Sequence, residues 1–126
     1  MLESTIVSLL SVDSVTSIVG SQIYPDQPQK NTTWPFIVFN ARNQQSIINL
    51  SGPCGVSTLD LMVVMETTSK AQQQTLSQAV QAILNGYSGL PIQVCKMTDD
   101  TVDEIDGENE RIYYQETQTY KLVVNL

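Results

Sequence analysis

The sequence predicts an α+β fold, a mostly antiparallel sheet with an N-terminal helix and one long helix packed on it. Three observations predict it. Apolar residues alternate with a period of two from about Val56 to Thr67; a capped amphipathic stretch begins directly afterwards at Ser69; and apolar residues of one parity run through the segment from Arg111 to Leu126. The 126 residues are about the length of one domain, and the expectation is a single domain over 1–126. A chain of this size buries roughly two thirds of its unfolded surface, so a core is available without disulfides or a metal.

The elements follow in order. Leu2, Ile6, Leu9 and Leu10 fall at helical spacing, and Val12, Val15, Ile18 and Val19 continue the period up to Gly20, a favourable residue just past a helix end. The helix is expected to break between Ser11 and Asp13. Pro25, Pro28 and Pro35 then bracket a polar stretch, Gln27 to Thr33, that excludes regular helix. Phe36-Ile37-Val38-Phe39 reads as a strand, a second strand is expected near Gln45 to Leu50, and Ser51 to Gly55 as a turn. In the long strand that follows, Leu59, Leu61, Val63 and Met65 share one face, while Thr58, Asp60, Met62, Val64 and Glu66 share the other. Ser69 and Gln72 fit a capping box, and Leu76, Ala79, Val80, Ile83 and Leu84 make the buried stripe of the long helix, which Gly86 closes. Gln73, Gln74, Ser77, Gln78 and Gln81 are assigned to its other faces. Ile92 and Val94 start a further strand, interrupted by an acidic segment from Thr98 to Glu110; Ile112, Tyr114, Tyr120, Leu122, Val124 and Leu126 share one parity of the last strand.

Composition narrows the function. Only 15% of residues are charged, against an average of about 25%, and Ser, Thr, Gln and Asn fill the difference. The net charge of −7, with Lys30, Arg42, Lys70, Lys96, Arg111 and Lys121 scattered along the chain, argues against a nucleic-acid grip. The N-terminus carries neither a basic nor an apolar signal-peptide region, and no apolar run is long enough for a membrane-spanning helix. Cys54 and Cys95 stand far apart and read as free thiols. With no histidine, Ser-His-Asp and Cys-His arrangements and histidine-ligated zinc are excluded. No phosphate-binding glycine motif occurs, so neither a catalytic centre nor a cofactor is expected.

The strongest local anomaly is acidic. Asp99, Asp100, Asp103, Glu104, Asp106, Glu108 and Glu110 are seven acids with no base between them, equal to the whole net charge of −7, since the six other acids cancel the six bases. Asp106-Gly107 suggests a calcium loop, but counting from the glycine puts Val102 first and Tyr113 twelfth, so the pattern fails. Three readings stand: a solvated hairpin tip, an interaction loop that reaches a basic partner surface, or weak divalent-ion binding. Trp34, the only tryptophan, reads as a core residue or loop anchor, or as an interface hot spot if exposed.

The series of signals also resembles a known family. A helical N-terminus ending at Ile18-Val19-Gly20 is followed by Ile23-Tyr24-Pro25, a Pro- and Gln-containing loop, Pro35-Phe36-Ile37-Val38-Phe39 and Leu50-Ser51-Gly52, then a long strand, a helix ending at Gly86 and a final strand region. In order and spacing, across nearly the whole chain, this resembles the tail terminator or tail completion proteins of long-tailed siphophages. The resemblance implies a homo-oligomeric ring, commonly a hexamer, that caps the tail tube, meets the tail tube protein and the head-tail connector protein, and lets DNA pass through its lumen. It implies a virion location in the tail or neck after assembly in the host bacterial cytoplasm, with no enzymatic step. A head-tail connector (neck) protein is the first alternative, and a small cytoplasmic acidic regulatory binding domain the second. If acidic loops converge in a ring, their repulsion opposes closure, and salt or divalent cations are expected to favour assembly.

Overall fold

The alternating segment becomes the centre of the molecule because both of its edges find partners. The computed structural model describes residues 2–26, 33–49, 52–89, 92–106 and 112–125. Its helices are α1 (Leu2–Leu10), α2 (Asp13–Val19) and α3 (Lys70–Leu84); its strands are β1 (Ile23–Pro25), β2 (Phe36–Asn49), β3 (Gly52–Thr67), β4 (Ile92–Asp106) and β5 (Ile112–Asn125). They form one sheet in the order β1-β2-β3-β5-β4. All pairs are antiparallel except the short β1–β2 pair, which is parallel. The α+β class, the mostly antiparallel sheet, the N-terminal helical region and the long packed helix are all as the sequence predicts.

Four boundaries differ from expectation, each for a backbone reason. The second strand near residue 45 is the distal half of β2, since register shifts between Arg42 and Gln45 and between Ser46 and Ile48 carry the ladder on instead of ending it. The expected turn at Ser51 to Gly55 instead contributes Gly52 onward to β3, where Gly52 pairs with Asn49 and Pro53 with Ile48. The acidic segment does not interrupt β4. A register shift between Met97 and Asp99 realigns the strand, and Asp99 through Asp106 pair with Thr119 through Ile112. Ladder hydrogen bonds need only backbone groups, and exposed carboxylates on an edge strand stay solvated. Finally, Ile23 to Pro25 forms an edge strand, a position where proline's missing N–H is tolerated.

One face of each strand feeds the core: Ile37 and Phe39 from β2, alternate residues Leu59 to Met65 from β3, Tyr120, Leu122 and Val124 from β5, and, across the register shift between Ile92 and Val94, Ile92 and Cys95 from β4. Onto that face pack Ile6 and Leu10 of α1, Val15 and Val19 of α2, and Leu76, Val80 and Leu84 of α3. The opposite parity, including Met62, Val64, Thr117 and Thr119, stays half-buried, with Phe36 and Val38 buried at its β2 edge. The helices therefore cover one side of the sheet.

Local chemistry fixes the helix ends. Between α1 and α2 the Ser11 hydroxyl donates to the Val7 carbonyl at 2.6 Å, and Val12 takes an extended conformation (φ −108°) that starts α2. Gly20 follows α2 with φ 63°, a backbone state costly for any residue with a Cβ. At the start of α3, the Ser69 hydroxyl accepts from the Gln72 amide at 3.4 Å, as the capping-box spacing predicts. Ser69→Ala is expected to lower stability by about 1 kcal/mol, and Leu76→Ala, at a fully buried site, by about 2–5 kcal/mol. Urea unfolding of the two variants checks both values and their order.

Candidate functional site

Among the described residues, no group of three or more acids and cysteines is placed to hold a metal ion. The cavity beneath α1, lined by Ile6, Phe39, Asn40 and Leu61 among others, measures ≈ 60 Å³, far below the roughly 300 Å³ from which small-molecule sites begin. Shallow depressions flank the C-terminal end of α3, one lined by Asn85, Tyr87, Val94 and Lys96, the other by Gln78, Gln81 and Ala82. The lining of the first also includes Ser88 and the buried Cys95. The distinctive chemistry lies elsewhere, on the β4–β5 hairpin and beneath it.

The acids of the hairpin divide by face. Asp99 and Asp103 stand opposite Thr119 and Gln115 on the uncovered side, whereas Asp100 and Glu104 stand opposite Gln118 and Tyr114 on the helix side. All four are exposed, and Asp106 ends β4. Glu108 and Glu110 lie outside the described residues. β3 stops pairing with β5 at Tyr114, so Ile105, Asp106, Ile112 and Tyr113 extend past it as a two-stranded ribbon. Ile112 is exposed on this ribbon, at 44%, and Val102 on the hairpin before it, at 53%. The acids thus line the outer half of the β4–β5 hairpin, an arm of which only the end, with Asp106, projects past β3, and they are carried by a ladder and not by an unpaired loop.

Trp34 stands at the opposite side of the arm's base. Its ring lies 5.3 Å from that of Tyr113, tilted by 31°, and its side chain hydrogen-bonds the Glu66 carboxylate. Burial raises the pKa of Glu66, and the bond from Trp34 opposes that shift. Trp34 is therefore an anchor between β2, β3 and β5 that remains 36% exposed.

A buried polar network that the periodicity reading did not anticipate fastens the arm to α3. Glu116, only 1% exposed, accepts hydrogen bonds from Gln73 Nε2 and Ser77 Oγ of α3, and from Gln118 Nε2 at 2.9 Å. Gln118 also donates to Ser77 Oγ at 3.0 Å and accepts from the Tyr120 hydroxyl at 2.6 Å. Asp100 reaches the same network and hydrogen-bonds Glu116. Burial, that hydrogen bond, the charge of Glu116 and the charge of Asp99 push the Asp100 carboxyl from 3.8 to about 6. Burial likewise raises the Tyr120 hydroxyl, and it pushes the Cys95 thiol up to about 12, so this free cysteine is an inert core residue. Gln73, placed by the sequence reading on another face of α3, is 4% exposed. The signal was available: Gln73 lies three residues before Leu76 on the buried stripe, and Glu116 and Gln118 share the parity of Tyr120 and Leu122.

This architecture, and the order of elements that builds it, can be compared with known proteins. The sequence profile of the family described as Tail completion protein gp17 matches residues 5–126. The chain belongs to the tail completion family. It is accordingly a structural protein of phage tails and is virion-associated. No curated protein sequence matches it. A chain in the virion of a native gene transfer agent particle shares the fold with a TM-score of 0.73 at 14% identity, covering 98% of this tail completion protein and 94% of that chain.

The network gives the tail completion protein a defined pH response. Because the folded-state pKa of Asp100 lies above its ordinary value, the native state binds more protons between pH 3.8 and about 6. Stability is then expected to fall as pH rises through that window and to level off above it. The effect is small because solvent screens an exposed group. Carbon NMR titration of the Asp100 carboxyl should find a midpoint near 6, and Asp100→Asn should remove this part of the pH dependence of urea unfolding.

Proposed function

We propose that the chain is a non-enzymatic tail terminator, a subunit of a ring that caps the tail tube and joins it to the head connector. The match to the tail completion family over residues 5–126 carries this reading. A fold shared with a chain of a gene transfer agent virion supports a place within a particle. The form of the molecule suits the role. Helices cover one side of the sheet, the other side is left for contacts, and an arm projects past β3. Six copies related by a heterologous contact close into a ring around a lumen that passes DNA. The acids of the arm and the exposed edge of Trp34 serve as interaction residues toward neighbouring subunits, the tube protein or the connector. Assembly takes place in the host cytoplasm, and no cofactor takes part.

Deleting the gene from the phage that encodes it is expected to yield tails of irregular length, detached from filled heads, when lysates are viewed by electron microscopy. Supplying the wild-type chain in trans should restore uniform, joined tails. Tails of normal length attached to heads in the deletion strain would contradict the terminator role.

A further inference from the structure

The register of the sheet gathers cations that the linear sequence scatters. Arg42 of β2 pairs with Asp60 of β3, Asp60 with Lys121 of β5, and Lys121 with Lys96 of β4. The four residues form a continuous row across four adjacent strands on the uncovered side of the sheet. At about 4.8 Å between strands the row spans roughly 15 Å. Half of the six basic residues of a chain with net charge −7 therefore lie in one line. One carboxylate stands among three cations; the Asp60 carboxylate meets Lys121 Nζ at 3.4 Å. Arg42 and Lys96 are exposed, as is Lys121.

Of the acids on β4, Asp99 stands beside the row, opposite Thr119 and so one step along β5 from the Lys121–Lys96 pair on the same side; the acids further along the strand do not. Asp103 lies seven residues beyond Lys96 on β4, roughly 23 Å along an extended strand. That is more than two Debye lengths of about 8–10 Å at physiological salt. A strand held in register by β5 cannot fold Asp103 back onto the row. Both surfaces also carry exposed aliphatic side chains: Val94, 49% exposed, beside Lys96, and Val102 and Ile112 on the arm.

We propose that the acidic arm of one copy docks on the basic row of the next, so that this is the heterologous contact that propagates the ring. The inference rests on the ring reading above and specifies which surfaces meet. The exposed aliphatics supply the dry centre of the contact and the charges its rim and direction. A row-to-row or arm-to-arm contact would set like charges together, so the head-to-tail arrangement is selected and self-pairing of β4 edges is discouraged. The contact also reverses the salt response expected from the sequence. With each arm seated on cations, assembly weakens as salt rises.

The test uses the full-length chain and four samples: wild type, Lys96→Glu/Lys121→Gln, Asp103→Lys/Glu104→Lys, and an equimolar mixture of the two variants. Sedimentation velocity at about 20 mM and about 500 mM salt, on either side of a 10 Å Debye length, reads the assembly state. Circular dichroism confirms that each variant is folded. Wild type should associate at low salt and dissociate at high salt, and each variant alone should associate at least about tenfold more weakly. Mixing should restore association, because the reversed arm of one variant meets the reversed row of the other. Wild-type chains that stay monomeric at low salt, variants that assemble like wild type, or a mixture that fails to recover would each overturn the proposed contact. The terminator role itself stands or falls separately, on the tail lengths of the deletion phage.

Discussion

Beneath α3 lies a carboxylate that water scarcely reaches, and the placement of its neighbours follows from the need to satisfy it. Glu116 sits on β5 among apolar side chains, where an unpartnered carboxylate would cost several kcal/mol. Gln73 and Ser77, one turn apart on α3, approach from above, while Gln118 approaches along the strand. A helix packed only through Leu76, Val80 and Leu84 could slide over a sheet with little change in buried area. The directional bonds to Glu116 permit one position. Since β5 also carries β4, the same bonds set where the hairpin leaves the body of the protein.

The sheet has one finished face and one unfinished face. Core residues of a single parity meet the helices, while the other parity shows half-buried Met62 and Val64 bordered by charge. In a freely soluble monomer such a face would be a liability. The chain belongs to the tail completion family of structural phage tail proteins, and on the ring reading proposed above this face is surface for assembly. Charge is distributed unevenly: acids concentrate along β4 from Asp99 onward, and three cations align across the sheet, ending at Lys96 on the same strand. Neither pattern contributes much to the stability of the isolated chain, since exposed charges are worth little there.

Much of this was legible in the sequence, and the failures share one physical cause. The period-two run of β3, the Ser69 cap and the α3 stripe were readable because burial imposes a periodicity that side chains must obey. The break at Ser11 and the end at Gly20 followed from the same pattern. The length of β4 was not readable, because its acids are exposed on both faces and the backbone ladder to β5 that continues the strand leaves no periodicity in the sequence. Parallel pairing of Ile23 to Pro25 depends on where β2 lies in space, which no local pattern records. The Glu116 network was hidden for the opposite reason: polar residues were assumed to face water, whereas here two elements distant in sequence supply each other's partners. The basic row is the same kind of object, visible only once register is known.

The most direct measurement is the stability and amide exchange of Glu116→Ala. If the buried carboxylate fixes α3 on β5, its removal takes the Glu116 partner from Gln73 and one bond each from Ser77 and Gln118, and should lower stability by about 3 kcal/mol or more. The amides of β4 and the first half of α3 should then exchange well before those of β2 and β3. A loss within about 0.5 kcal/mol, the range of an ordinary surface substitution, with an unchanged exchange pattern, would contradict the account. Packing of Leu76, Val80 and Leu84 alone would then suffice to hold the helix and aim the arm.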